Sequence, residues 1–174
     1  NTVWAYATAG VAAHALYEAV AEAAVRGGLD RFKPQELANT MWAYATAGVA
    51  AHALYEAVAE AAVRGGLDRF KPQDLSNTVW AYATAGHYHQ ALLAGCSRVI
   101  SDSFARDPSR WGVVDRSQLH QWQLWLSLEG GAVGQQHLLS ESQRKLCCDA
   151  MQGTEVTISR LQRPVAIALA AVQH

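Results

Sequence analysis

The sequence predicts an all-α protein: a right-handed α-solenoid of 38-residue helix–turn–helix repeats, closed by a less regular C-terminal helical cap. Three observations carry that reading. The string NTVWAYATAG at Asn1 returns almost unchanged at Asn39 and Asn77, a constant interval of 38 residues, and a period of about 20–50 residues marks a stacked array. Each interval holds two apolar-periodic segments punctuated by glycine. No β-branched alternation or hairpin turn competes with them.

Residues 1–38 and 39–76 differ only at Val3/Met41, Glu36/Asp74 and Ala38/Ser76. A third copy holds through Gly86 and then diverges, keeping Ala91–Leu92 in register with Ala53–Leu54. The expected organisation is therefore a repeat region over 1–105 (copies 1–38, 39–76 and a partial 77–105) and a C-terminal helical region over 106–174.

Within a copy, KPQELANTMWAYATAG opens with Pro34, which suits the first helical turn, and closes at Gly48, a natural C-cap. At about 100° per residue, Leu37, Met41, Tyr44 and Gly48 share a stripe expected to pack on the second helix. Ala38 and Ala45 lie on one flank, Ala43 and Ala47 on the other, and small flanks let successive first helices approach closely. The face left over carries Gln35, Asn39, Trp42 and Thr46. The second helix, VAAHALYEAVAEAAVRGG, runs to Gly65–Gly66, and LDRFK returns the chain to the next proline. Its His52, Glu56, Glu60 and Arg64 form a solvated stripe, with Leu54, Val58 and Ala61 on the buried side.

After Gly86, HYHQALLAGCSRVISDSF reads as a less regular second helix, and ARDPSRWGVVD as a loop. A helix at 116–129 packs Leu119, Trp122 and Leu126, while Leu124, Trp125 and Leu128 broaden its apolar face towards burial between neighbours. GGAVGQQ reads as a flexible connector. Helices near 140–152 and 158–173 are expected to cover the end of the stack, with Pro164 starting or kinking the last.

The formal charge is −1, and the copy at 39–76 is itself net acidic by one, so the basic footprint usual for nucleic-acid binding is missing. The longest apolar run, VAIALAAV at 165–172, is far short of the roughly 20 residues that span a bilayer, so no membrane partner is expected. No targeting pattern is visible, and a start inside a repeat reads as a piece of a longer protein. Cys96 and the adjacent Cys147 and Cys148 make neither a disulfide framework nor a zinc spacing and read as reduced, buried thiols. His87 and His89 flank Tyr88, and alternate residues on a helix do not face each other, so no metal site is expected. A Cys147–His120 or Cys147–His137 nucleophile pair rests on composition only, and no phosphate loop, paired-carboxylate motif or HExxH occurs. The expectation is no enzyme and no cofactor.

Stacking would align Asn1, Asn39 and Asn77 as a ladder, with Trp4, Trp42 and Trp80 beside it. An Asn amide donates and accepts at once, so it can read a base edge or hold an extended peptide backbone. A Trp face supports an unstacked base, worth about 1–3 kcal/mol per base. Three readings of these residues stay open: a packing seam, a single-stranded RNA face and a peptide groove.

The motif FKPQELANTMWAYATAG on a 38-residue helix pair resembles the octotricopeptide repeats of organellar RNA-binding proteins. That resemblance implies stacked helix pairs with a groove for single-stranded RNA. It further implies a role in processing, stability or translation of chloroplast or mitochondrial transcripts. The RNA-facing positions it implies are Asn1, Trp4 and Thr8; Gln35, Asn39, Trp42 and Thr46; and Gln73, Asn77, Trp80 and Thr84. The segments LHQWQLWLSLE, LLSESQRKLCCDAM and SRLQRPVAIALAAV resemble the helical stretch before the RAP domain of FAST-kinase-like and RAP proteins, with that domain itself absent. Near-identical copies imply the same base at each step, hence a preference for homopolymeric runs or weak discrimination. The alternative reading is a protein- or peptide-binding scaffold without RNA contact.

Overall fold

The computed structural model of the protein describes residues 2–11 and 13–153. Among these the chain is all-helical, without a strand. The helices are α1 (Thr2–Ala9), α2 (His14–Gly27), α3 (Pro34–Ala47), α4 (His52–Gly65), α5 (Pro72–Thr84), α6 (Gln90–Arg106), α7 (Val113–Leu128), α8 (Gly131–Gln135) and α9 (Glu141–Gln152). Short 3₁₀ turns at Leu67–Arg69 and Pro108–Arg110 join α4 to α5 and α6 to α7. Helices α1, α3, α5, α7 and α9 pack side by side in chain order, and α2, α4 and α6 form a second row against them.

Local chemistry sets the ends of the repeat helices. Pro34 and Pro72 occupy the first turn, and the third helical residue reaches back to cap. The Glu36 carboxylate accepts the Lys33 N–H at 2.8 Å, and the Asp74 carboxylate accepts that of Lys71 at 3.0 Å. The Glu36/Asp74 difference between copies thus preserves the cap. At the far end Gly48 takes φ 66° and ψ 28°, a left-handed pair that a side chain would strain. The turn this permits lets Val49 N–H donate to the Tyr44 carbonyl at 3.1 Å, and Val11 and His87 N–H do the same to Tyr6 and Tyr82.

This glycine turn also moves two expected boundaries. Residues 49–51 are spent on the exit, so α4 begins at His52 rather than directly after Gly48. In the third copy α6 begins only at Gln90, which leaves His87–His89 non-helical.

The tyrosine stripe goes further than its own copy. Tyr44 Oη donates to the carbonyl of Tyr17 at 2.7 Å, and their rings meet edge to face at 5.1 Å. Tyr82 Oη donates in the same way to Tyr55, again with rings 5.1 Å apart. Helices α3 and α5 are therefore each tied to the second helix of the preceding copy. Burial raises both hydroxyls above the ordinary tyrosine range, Tyr44 to about 12. Leu37, Met41, Ala38, Ala43 and Ala45 are buried as the pattern predicts, as are Leu54, Val58 and Ala61.

The C-terminal region departs from expectation in two places. Leu119, Trp122 and Leu126 are fully buried, but Leu124 is 46% exposed and Leu128 80% exposed. α7 is flanked by α5 and α9, so a single stripe of it points inward and these two leucines lie outside that stripe. The GGAVGQQ segment is a helix, not a flexible connector. Its glycines serve close approach: a Cβ on Gly130 or on Gly134 would stand 2.6 Å from the Leu126 carbonyl oxygen. The expected helix near 158–173 and its Pro164 lie outside the described residues.

Candidate functional site

The residues singled out in the sequence fall on the first row of helices and are treated unequally by it. Trp4 and Thr8 on α1 are exposed, and the Thr8 hydroxyl donates to the Trp4 carbonyl at 2.8 Å. Gln35 and Gln73 are exposed in the first turns of α3 and α5, and Thr84 is exposed at the end of α5. Asn39, Trp42, Thr46, Asn77 and Trp80 are half-buried. Thr46 lines a cavity of about 150 Å³ between the first two copies, with Tyr6, Tyr17 and Ala47 among its walls. It belongs to the seam and not to an open face. Asn1 lies outside the described residues.

Trp42 and Trp80 lie beside each other across the α3–α5 seam, rings 6.4 Å apart and tilted by 32°. In the third copy the ladder meets α7. Gln118 Nε2 donates to Asn77 Oδ1 at 2.9 Å, and Trp80 Nε1 donates to Gln121 Oε1 at 2.9 Å. Ser76, which replaces the Ala38 of the previous copy, donates to Asp115 Oδ1 at 3.2 Å. Sequence reasoning missed Gln118 and Gln121. Their signal was present, since the two glutamines repeat the three-residue spacing of Asn77 and Trp80.

A second cluster sits on the outer row. His87 Nε2 stands 2.7 Å from Glu56 Oε1, His89 Nε2 stands 3.8 Å from Glu56 Oε2, and His87 Nδ1 stands 3.5 Å from His52 Nδ1. The sequence expectation that His87 and His89 would not face one side assumed a helix. In the non-helical exit from α5 they converge on one carboxylate. Even so, no group of three or more His, Cys, Asp or Glu among the described residues is placed to hold a metal ion. Burial pushes the Cys96 thiol up to about 12 and the Cys147 thiol up to about 11, the opposite of what activates a cysteine nucleophile. His120 is shifted the other way, its imidazole held below the ordinary range by burial. No helix among the described residues is long and apolar enough to cross a membrane.

Residues 7–94, half of the chain and most of the repeat region, match the model of the Tbc2 translation factor, N-terminal domain. The chain belongs to this family. The match overturns the octotricopeptide-repeat, FAST-kinase-like and RAP likeness read from the motif, because the family model that the repeats fit is the Tbc2 one. Motif spelling alone misled here: alanine-rich helices with a glycine exit and one aromatic are easily shared between families. No curated protein and no solved structure matches the chain. The Tbc2-type match ends at residue 94, inside α6, so α7 with its glutamine pair lies beyond it.

Proposed function

We propose that this Tbc2-type domain binds single-stranded RNA in the service of translation, using the free edge of its first row of helices. One observation carries the reading: Trp42 and Trp80 stand side by side on that edge, and Trp4 is exposed on the adjoining helix. Aromatic faces repeated at successive helices suit unstacked bases, which single-stranded RNA presents and a duplex does not. The family's description as a translation factor supports an RNA-linked role. In this reading the two rows form a right-handed α-solenoid over the repeats, with α7 to α9 closing it. The binding positions are Trp4, Thr8, Gln35, Asn39 and Trp42, with Trp80 contributing its ring face.

The test is a titration of the folded chain with poly-A, poly-U, poly-C and a mixed single strand, followed by tryptophan fluorescence. Near-identical copies should favour one homopolymer. A folded sample that binds none of them would move the reading to a peptide scaffold. The near-neutral charge of the repeats favours that alternative, in which Asn39 holds an extended backbone.

A further inference from the structure

The first two copies are almost the same sequence in different surroundings, and the difference points to a partner. Tyr44 and Tyr82 are fully buried, whereas Tyr6, at the same place in the first copy, is 38% exposed. Tyr44 and Tyr82 donate to the carbonyls of Tyr17 and Tyr55 in the copy before them, while the Tyr6 hydroxyl has no partner among the described residues. Arg64 reaches back to Asp30 of the previous copy at 2.6 Å, yet among the described residues Arg26, its equivalent, meets only Glu22 on its own helix at 3.9 Å. Ala43 and Ala61 are buried, and their counterparts Ala5 and Ala23 are exposed.

We propose that the face of α1 and α2 bearing Ala5, Tyr6, Ala23 and Arg26 is a stacking surface for one further helix pair of this same repeat sequence. The occupant must offer what the preceding copy offers elsewhere: a tyrosine carbonyl for Tyr6, the loop aspartate for Arg26 and an alanine-lined flank. A second copy of the chain has no tyrosine carbonyl to spare, because its Tyr17 and Tyr55 carbonyls are taken by Tyr44 and Tyr82. The inference rests on the repeat seams and stands apart from the RNA reading.

The experiment compares the 174-residue chain with one extended by a copy of residues 39–76 directly ahead of Asn1, which recreates the Ser76–Asn77 junction. Neighbouring repeats stabilise each other, so the extended chain should melt about 5 °C or more higher, in one transition. Tyr6→Phe and Arg26→Ala supply the control. Both should leave the original chain little changed, since the Tyr6 hydroxyl has no partner there among the described residues and the Arg26 side chain is exposed. In the extended chain Tyr6→Phe should lower Tm by about 2–4 °C. An unchanged Tm, a separate second transition, or an extension that adds no helical circular dichroism would overturn the proposal. So would equal effects of Tyr6→Phe in both chains, or an original chain that sediments as a dimer dissociated by Ala23→Glu.

Discussion

In the second copy, α3 lies between α1 and α5, helices of nearly its own sequence, and the Asn39 and Trp42 side chains make no hydrogen bond among the described residues. In the third, α5 carries the same two residues against α7, and Gln118 and Gln121 take up both Asn77 and Trp80. The polar groups of one motif are thus left without side-chain partners among the described residues where the next helix is a repeat, and are engaged where it is not. Identity of sequence does not confer identity of role; the neighbour completes it.

The comparison breaks most visibly through the core. Met41 is fully buried between two flanking helices, whereas its counterpart Val3, also buried, lies on α1, which has one flanking first-row helix among the described residues. Met41→Ala should cost about 3 kcal/mol in urea unfolding and Val3→Ala clearly less. Equal losses would mean that the inner copy gains nothing from its two neighbours.

High pH acts on the third copy. Cys96 stands where the second copy has Val58, and burial holds its thiol near 12 against an ordinary value of 9.0. The folded chain keeps this proton while the unfolded chain releases it. The contribution of this thiol is therefore intact below pH 9 and should fall by about 1.4 kcal/mol per pH unit from there towards pH 12, with the raised Cys147 and Tyr44 groups adding to the loss. Cys96→Val, which restores the repeat residue, should make that part of the pH profile in thermal melts shallower by the thiol's share. A profile unchanged by the substitution would remove Cys96 as its cause.

The ladder itself should divide by copy. Asn77→Ala strands the buried Gln118 amide and should cost about 1 kcal/mol or more. Asn39→Ala should stay within about 0.5 kcal/mol. RNA affinity should show the reverse order, with Trp42→Ala weakening it by roughly 10-fold, the loss of one stacked base. If both asparagines cost the same in chemical denaturation and neither affects binding, the edge is a seam throughout. The smallest effect is that of salt. With no basic stripe on the repeats, the logarithmic salt dependence of RNA binding should have a slope below about 2 in magnitude. A steep slope would place the contact on a basic surface elsewhere.

The helices of the repeats were legible because their signals are local. Pro34 and Pro72 start them, the Glu36 and Asp74 carboxylates cap them, and Gly48 ends them, all within a few residues. The asparagine and tryptophan positions were legible as a shared face, since periodicity alone puts them there. The family was not. Short motifs of common residues gave a likeness that the match over residues 7–94 replaced. His87 and His89 were misjudged because their relation depends on where the helix stops, and Leu124 and Leu128 because apolar character does not say which side a neighbour takes.

By itself, the sequence determined that this protein is helical, that its unit is 38 residues long and that Asn39 and Trp42 share a face, because backbone propensity and helical period act over a few residues. Only the tertiary structure decided that Tyr44 bonds to the copy before it, that Gln118 and Gln121 engage Asn77 and Trp80 of the third copy, and that the Tyr6 hydroxyl has no partner among the described residues while Arg26 is exposed. Those outcomes depend on which helix arrives alongside, a contact made across 27 to 41 residues of chain that no local pattern encodes.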